Sequence, residues 1–323
     1  MSLFLNHFLR TTAYRSPLLR TLVPTIGLAF ALQAAFAVPS IALQSDRVYD
    51  LSGSVTYLGV TALSLYLPAL RARAASTLTS RASEVAPSVL RALGAANWRQ
   101  LVLSAAVGVW AVRLGAHLFT RILKNGPDSR FDEIKKSPPK FAVAWFFQAV
   151  WVSLCLSPIL ALNALSPALL KSLPLLVTDV LGLSLFVGGL GFEIVADQQK
   201  TEWMKQKKEK KHDEDFLTSG LWGVSRHPNY FGESILWSGI AIAAGGVIVR
   251  DLGQNGLGLS TLGGRGRLLG VGLAAVSPAF VTFLLTCVSG VPMSEGKYDE
   301  RYGDREDYKR WKRETPVFIP RFW

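Results

Sequence analysis

Charge and cysteine are what this chain has little of. Only 18% of its 323 residues are charged and two are cysteine. Soluble domains carry about a quarter of their residues as Asp, Glu, Lys or Arg, so the deficit excludes an ordinary water-exposed surface along the whole chain. Cys155 and Cys287 both fall inside apolar runs. That excludes a disulfide framework and makes both expected small core residues. The four histidines have no ligand spacing with one another or with cysteine, so no metal site is expected. Acid is missing from the start of the chain: Asp46 is the first carboxylate, yet Arg10, Arg15 and Arg20 precede it. An acid-free, Arg-bearing start resembles a mitochondrial presequence. Without a persuasive small-residue cleavage site, the better reading is a positive flank ahead of a signal-anchor helix.

What is present is apolar length. Half of the residues are hydrophobic, and seven windows reach the roughly 18 to 20 residues that cross a bilayer. They lie near 22–43, 53–70, 101–118, 141–165, 173–195, 231–249 and 268–291. In lipid every backbone amide must be satisfied internally, so the expected fold is an all-α, polytopic transmembrane helical bundle in contact with the lipid bilayer. The charged segment Ser294–Glu314 then forms a polar C-terminal helical cap.

The net charge of +12 invites a nucleic-acid partner, and its distribution argues against one. The basic residues flank apolar spans, where cytoplasmic loops and anionic headgroups account for them, and no nucleic-acid-binding module is visible. Strict alternation over seven spans places the basic N-terminus and the 71–99 segment on one side. Segments 121–140 and 198–228 and the C-terminal tail fall on the other. Both sides are rich in Lys and Arg, which conflicts with the positive-inside rule. Residues 71–99, rich in Ala, Ser and Arg with Glu84 as their one acid, read as a linker or surface helix. The glycine-heavy stretch 251–267 reads as a flexible loop, because a dinucleotide fingerprint needs a strand before it.

The densest chemistry lies in Gly220–Glu233, where Arg226, His227, Asn229, Tyr230 and Glu233 meet the start of an apolar run. An interfacial belt accounts for Trp222, Arg226 and Tyr230; a carboxylate and an amide at the head of a membrane helix point instead to a site. Asn229, Glu233 and Trp237 share one helical face. Pro228 suits a first helical turn, whose free amides attract anions. Two other spans carry polar stripes. Arg113, His117 and Arg121 align in the third span and lead into Lys124, Asp128, Ser129, Arg130 and Asp132. Glu193, Asp197 and Lys200 align at the end of the fifth, where Asp197 and Lys200 have the spacing of a local ion pair. The run Lys205–Asp215 reads as a solvated loop. In the last polar segment, Glu295, Tyr298, Tyr302, Tyr308 and Trp311 have the composition to close over a nucleotide.

Four ordered segments together resemble the DUF1295 family, which groups with the steroid 5-alpha-reductase C-terminal proteins. They are Trp110–Arg130, Gly191–Lys200, Gly220–Glu233 and the tail from Ser289-Gly-Val-Pro through Glu295 and Tyr308 to Ile319-Pro320. The resemblance divides the chain into N-terminal membrane helices with a basic linker (1–100) and a reductase-like membrane domain (101–323). It implies a membrane-embedded, NADPH-dependent reductase of a double bond in a lipophilic, sterol- or lipid-like substrate, with the endoplasmic reticulum as the expected membrane and the mitochondrial membrane as the other candidate. By carry-over, Asp197, Lys200, Arg226, His227, Asn229, Tyr230, Glu233, Glu295, Tyr298 and Tyr308 hold the cofactor. The substrate end departs from the steroid reductases: their N-terminal glutamate has no counterpart in the first two spans, and Arg113 stands about where a tyrosine is expected. Arg113 or Tyr66 is then the proton donor or oxyanion partner. Two other readings stand beside this one. The Arg-His-Pro-x-Tyr turn also resembles isoprenylcysteine carboxyl methyltransferases, which use S-adenosylmethionine. The missing acid–tyrosine pair would also suit a non-catalytic membrane protein with a decayed site.

Overall fold

A computed structural model describes residues 3–76, 93–126 and 131–322, and among them the regular structure is entirely helical. Residues 77–92 of the expected linker, and Asp128, Ser129 and Arg130 of the expected polar loop, lie outside the described residues. Ten of the thirteen α-helices among the described residues organise the fold: α1 (Leu3–Thr11), α2 (Pro17–Ala42), α3 (Tyr49–Ser76), α4 (Trp98–Asn125), α5 (Pro138–Asn163), α6 (Val177–Lys208), α7 (Pro228–Ile248), α8 (Gly264–Phe283), α9 (Val291–Tyr302) and α10 (Glu306–Glu314). Seven helical segments are long and apolar enough to cross a membrane: α2 to α7, and α8 with its continuation into α9. The chain is thus a multi-pass helical membrane protein.

Local chemistry sets the helix ends. Ser16 caps α2 ahead of Pro17, and its hydroxyl accepts the Leu19 N–H at 3.5 Å. Asn97 and Gln100 form a reciprocal capping box on α4, satisfying amides that a helix start leaves bare. Prolines 24, 39, 68, 158 and 278 lie inside spanning helices, a position tolerated where neighbouring groups satisfy the freed carbonyls. The glycine-heavy stretch expected as a loop is instead structured. Asp251–Leu257 is helical and Ser260–Leu262 is a 3₁₀ turn. Asp251 favours the N-terminal end of that helix, and Gly258, at φ +73°, closes it in the left-handed region.

The contacts divide the chain into two compact units, residues 1–176 with 244–274 and residues 177–243 with 275–323. In the first, α3 packs against α2, α4 and α5, and α2 packs against α5. Small polar side chains knit these helices where lipid cannot satisfy them. Gln33 donates to Thr56 at 2.7 Å, and Asn163 donates to Ser64 at 2.8 Å and Ser104 at 3.2 Å. Tyr57 meets Trp110 and Trp151 edge-on, each at 5.0 Å. The Arg71 guanidinium binds the Leu9, Thr12 and Arg20 carbonyls at 2.7 to 3.0 Å, which fastens α1 and the head of α2 to α3.

In the second unit, α6 and α7 meet backbone to backbone. A Cβ on Gly182 would lie 2.5 Å from the Gly239 carbonyl oxygen; one on Gly189 would lie 2.7 Å from that of Gly232. Only glycine permits that approach, the small-residue packing that membrane helices favour. A 32-residue helix such as α6 rises about 48 Å, more than the roughly 30 Å hydrocarbon layer. Its polar last turns therefore stand clear of lipid and can line a site.

One expectation is corrected. Cys155 is buried, but Cys287 is exposed. Cys287 sits in the π-helical turn Leu284–Val288, and lipid makes exposure of a small apolar thiol cheap.

Candidate ligand-binding cleft

The cleft grows from three local structures in the second unit. The projecting end of α6 carries Lys200 and Trp203. Gly220, at φ +60°, then turns the chain back onto α6, where a Cβ would sit 2.7 Å from the Gln199 side-chain amide. That return lets the Leu221 N–H donate to Gln199 Oε1 at 2.9 Å and the Trp222 indole donate to the Ala196 carbonyl at 3.0 Å. Lys200 lies over the Trp222 ring, 4.7 Å from its centroid. Next, Ser225 accepts the His227 N–H at 3.2 Å and donates to the Phe318 carbonyl at 2.9 Å. This fixes Arg226 and His227 immediately before α7.

Arg226 and His227 are 6% and 5% exposed, and burying an arginine costs several kcal/mol unless it is paired. Glu295 on α9 supplies the partner. Its carboxylate lies 3.3 Å from Arg226 Nη1, 3.2 Å from His227 Nε2 and 3.4 Å from Lys312 on α10. Lys312 also reaches Asp299 at 2.6 Å, and the Tyr308 hydroxyl donates to Asp299 at 2.8 Å. Burial pushes the His227 imidazole below its ordinary value; Glu295 opposes that, and Lys200 and Arg226 add to it. At neutral pH the ring is therefore uncharged. Burial and the bond to Asp299 raise the Tyr308 phenol well above the usual tyrosine range, so it stays a donor.

Aromatic side chains make the walls. Trp203, Phe216, Trp222, Tyr298, Tyr308 and Trp311 line a narrow cleft with about 30 Å³ of free space, room for about two waters. Phe216 lies 5.1 Å from Trp311 and 5.4 Å from Tyr308 between ring centroids. Two buried donors on residues that line it, Arg226 Nε and Trp311 Nε1, have no hydrogen-bond partner among the described residues. A buried donor left bare costs about 1–3 kcal/mol. The pair is suited to acceptor oxygens.

Of the residues expected to hold a cofactor, Lys200, Arg226, His227, Glu295, Tyr298 and Tyr308 line the cleft. Asp197, Asn229 and Tyr230 adjoin it. Asn229 donates to Asp197 at 3.3 Å, leaving the buried Asn229 Oδ1 without a partner. The Tyr230 ring stacks on His227. Glu233 sits half-buried one turn further along α7 and does not line the cleft. Asp197 accepts from Asn229 and Lys200 lies over Trp222.

Trp203, Phe216, Leu217, Ser294 and Lys312 escaped the sequence reading. Phe216 directly follows the charged run read as a solvated loop. There Asp215 pairs with Lys207 at 3.0 Å and with Arg305 at 2.5 Å, which ties this loop to the head of α10 and presents Phe216 to Tyr308. The only signal was an aromatic residue next to a charge cluster.

Tyr66 and Arg113, the expected proton donors, are half-buried on α3 and α4 of the other unit. In the same stripe Arg121 lies 3.6 Å from Asp50. α3 begins earlier than the apolar window implied, so the second span does bring a carboxylate into its first turn.

A family model described as "Protein of unknown function (DUF1295)" matches residues 79–252 and 266–315. No curated protein and no solved structure matches the chain.

Proposed function

The chain belongs to the DUF1295 family, and from that membership and the chemistry of the cleft we propose an NADPH-dependent reductase acting on a double bond in a lipophilic substrate. One observation carries this reading. A deeply buried arginine with an unpartnered Nε and an indole with an unpartnered Nε1 face a cleft walled by six aromatic rings. Such a lining suits phosphate oxygens and planar heterocycles together.

In this reading Arg226 and Lys200 bind phosphate oxygens, as charge-assisted bonds are the stronger ones. The aromatic walls hold the flat rings and exclude water. Asn229, positioned by Asp197, keeps its Oδ1 for a ligand donor. NADPH, when bound, supplies hydride. His227, neutral at pH 7 and stacked on Tyr230, donates its Nε2–H to the Glu295 carboxylate and adds no charge to the cleft. The proton that completes the reduction is assigned to Arg113 or Tyr66 on the sequence pattern. A bilayer-embedded fold suits a sterol- or lipid-like substrate, and the family resemblance favours the endoplasmic reticulum membrane.

Titration of the detergent-purified chain with NADPH, followed by tryptophan fluorescence, tests the assignment. The wild type binds, and Arg226→Ala and Asn229→Ala each weaken binding at least tenfold, as expected for loss of about 1.4 kcal/mol or more. Stabilisation by S-adenosylmethionine and not by NADPH would move the chain to the methyltransferase reading. Binding of neither would support the non-catalytic one.

A further inference from the structure

The last residues of the chain have two chemically different faces. Beyond α10 the chain bends at Thr315 and again over residues 317–319, and its side chains divide between a covered and an uncovered side. Thr315 and Pro320 are buried and Pro316 and Phe318 half-buried, whereas Val317, Ile319 and Phe322 are exposed, the last two at 68%. The inward face is strapped to the segment that carries the cleft arginine. Arg226 N–H donates to the Pro316 carbonyl at 2.8 Å, Ser225 Oγ to that of Phe318 at 2.9 Å, and Arg321 N–H to that of Val224 at 3.0 Å. These three bonds fasten the backbone to the segment, with Val317, Ile319 and Phe322 on its exposed side.

What covers the outward face follows from where the strap lies. The Phe318 ring meets Phe231 edge-on at 5.8 Å, and Phe231 meets Phe192 at 5.7 Å. Phe231 belongs to the first turn of α7 and Phe192 to α6, both membrane-length helices. The strap thus lies level with the mouths of two spans, where hydrocarbon gives way to headgroups. Exposed Arg310, Arg313 and Arg321 lie on and beside it in sequence, the charge that anionic headgroups attract. Apolar side chains beside arginines, at the level where spans emerge, have the make-up of an interfacial anchor.

We propose that residues 316–322 are a membrane-interface strap. Val317, Ile319 and Phe322 insert at the boundary between headgroups and acyl chains, while the opposite face holds the Ser225–Arg226 backbone in place. The bilayer then helps to set the position of Arg226, whatever ligand the cleft takes.

Photocrosslinking tests this without disturbing the core. Benzoylphenylalanine replaces Phe322, and in a control Glu306, in the full-length chain in nanodiscs of phosphatidylcholine and phosphatidylglycerol. On illumination the position-322 protein is expected to gain mass by one phospholipid at several times the yield of the control. Equal lipid adducts at both positions would overturn the proposal. So would crosslinking of position 322 chiefly to a second copy of the chain, which would make this face a protein interface. As a second arm, Ile319→Asp is expected to leave the melting temperature in detergent unchanged and to lower it in nanodiscs. Equal shifts in both media would mean that the lipid plays no part. These readouts use no NADPH, so failure of the strap and failure of the reductase assignment are distinguishable.

Discussion

The His227 ring lies flat against the Tyr230 ring, with centroids 5.2 Å apart and planes within 2° of parallel. The two residues straddle the start of α7, so the stack orients the imidazole while Pro228 begins the helix. Tyr230 is held in turn by Gly290, where a Cβ would lie 2.9 Å from the tyrosine ring. From the π-helical turn through Gly290 and Tyr230 to His227 and Glu295, backbone geometry sets the direction of the imidazole.

Gly290→Ala is therefore expected to destabilise the protein by about 1–3 kcal/mol, the usual cost of forcing atoms into a filled site, and to weaken ligand binding as the stack shifts. Gly296→Ala, with open space around its Cβ position, is the matched control. Paired thermal unfolding and NADPH titration decide the matter, and equal behaviour of the two variants would remove Gly290 from this chain of contacts.

His227 makes stability depend on pH with a defined sign. Burial lowers its pKa in the folded state, so the unfolded chain binds a proton first as pH falls. Stability is then full above the ordinary histidine value and declines as pH drops through it toward the lowered one. Thermal melts between pH 5 and 8 should show this decline in the wild type and a shallower one in His227→Asn. A wild type that is more stable at pH 5.5 than at pH 7.5 would contradict the burial argument.

The cleft walls predict a graded effect. Removing one stacking wall costs about 1–3 kcal/mol for a nucleobase, so Trp311→Ala should raise the NADPH dissociation constant roughly ten- to a hundredfold. Trp98→Ala, on the other unit and 39% exposed, should leave it unchanged.

Proton delivery and cofactor binding should separate. Arg113→Ala and Tyr66→Phe are expected to bind NADPH as the wild type does, with one of them losing product formation in a lipid-reduction assay. If both retain full turnover, the proton comes from elsewhere.

The glycines between α6 and α7 carry a stability prediction. Gly189→Leu should separate the helices and pull Asp197 away from Asn229, lowering the melting temperature and NADPH affinity together. Gly188→Leu, one residue along and with nothing near its Cβ position, should do neither.

Sequence alone settled the all-helical, seven-span character, because apolar length is a local property and lipid permits few other folds. The motif Arg226-His227-Pro228-Asn229-Tyr230 was legible for a related reason: polar groups at the head of an apolar helix stand out against their neighbours. The pairings of those residues were not legible. Glu295 was legible as a site residue, but not its pairing with Arg226 and with His227, 68 positions away. Phe216 and Trp203 become cleft walls only because Asp215 reaches Arg305, 90 positions away. Gly182, Gly189, Gly232 and Gly239 look like scattered small residues in apolar runs until two backbones meet. Periodicity and composition report what a segment is, whereas pairing across long stretches of chain depends on which surfaces fit, and only the tertiary structure decided that.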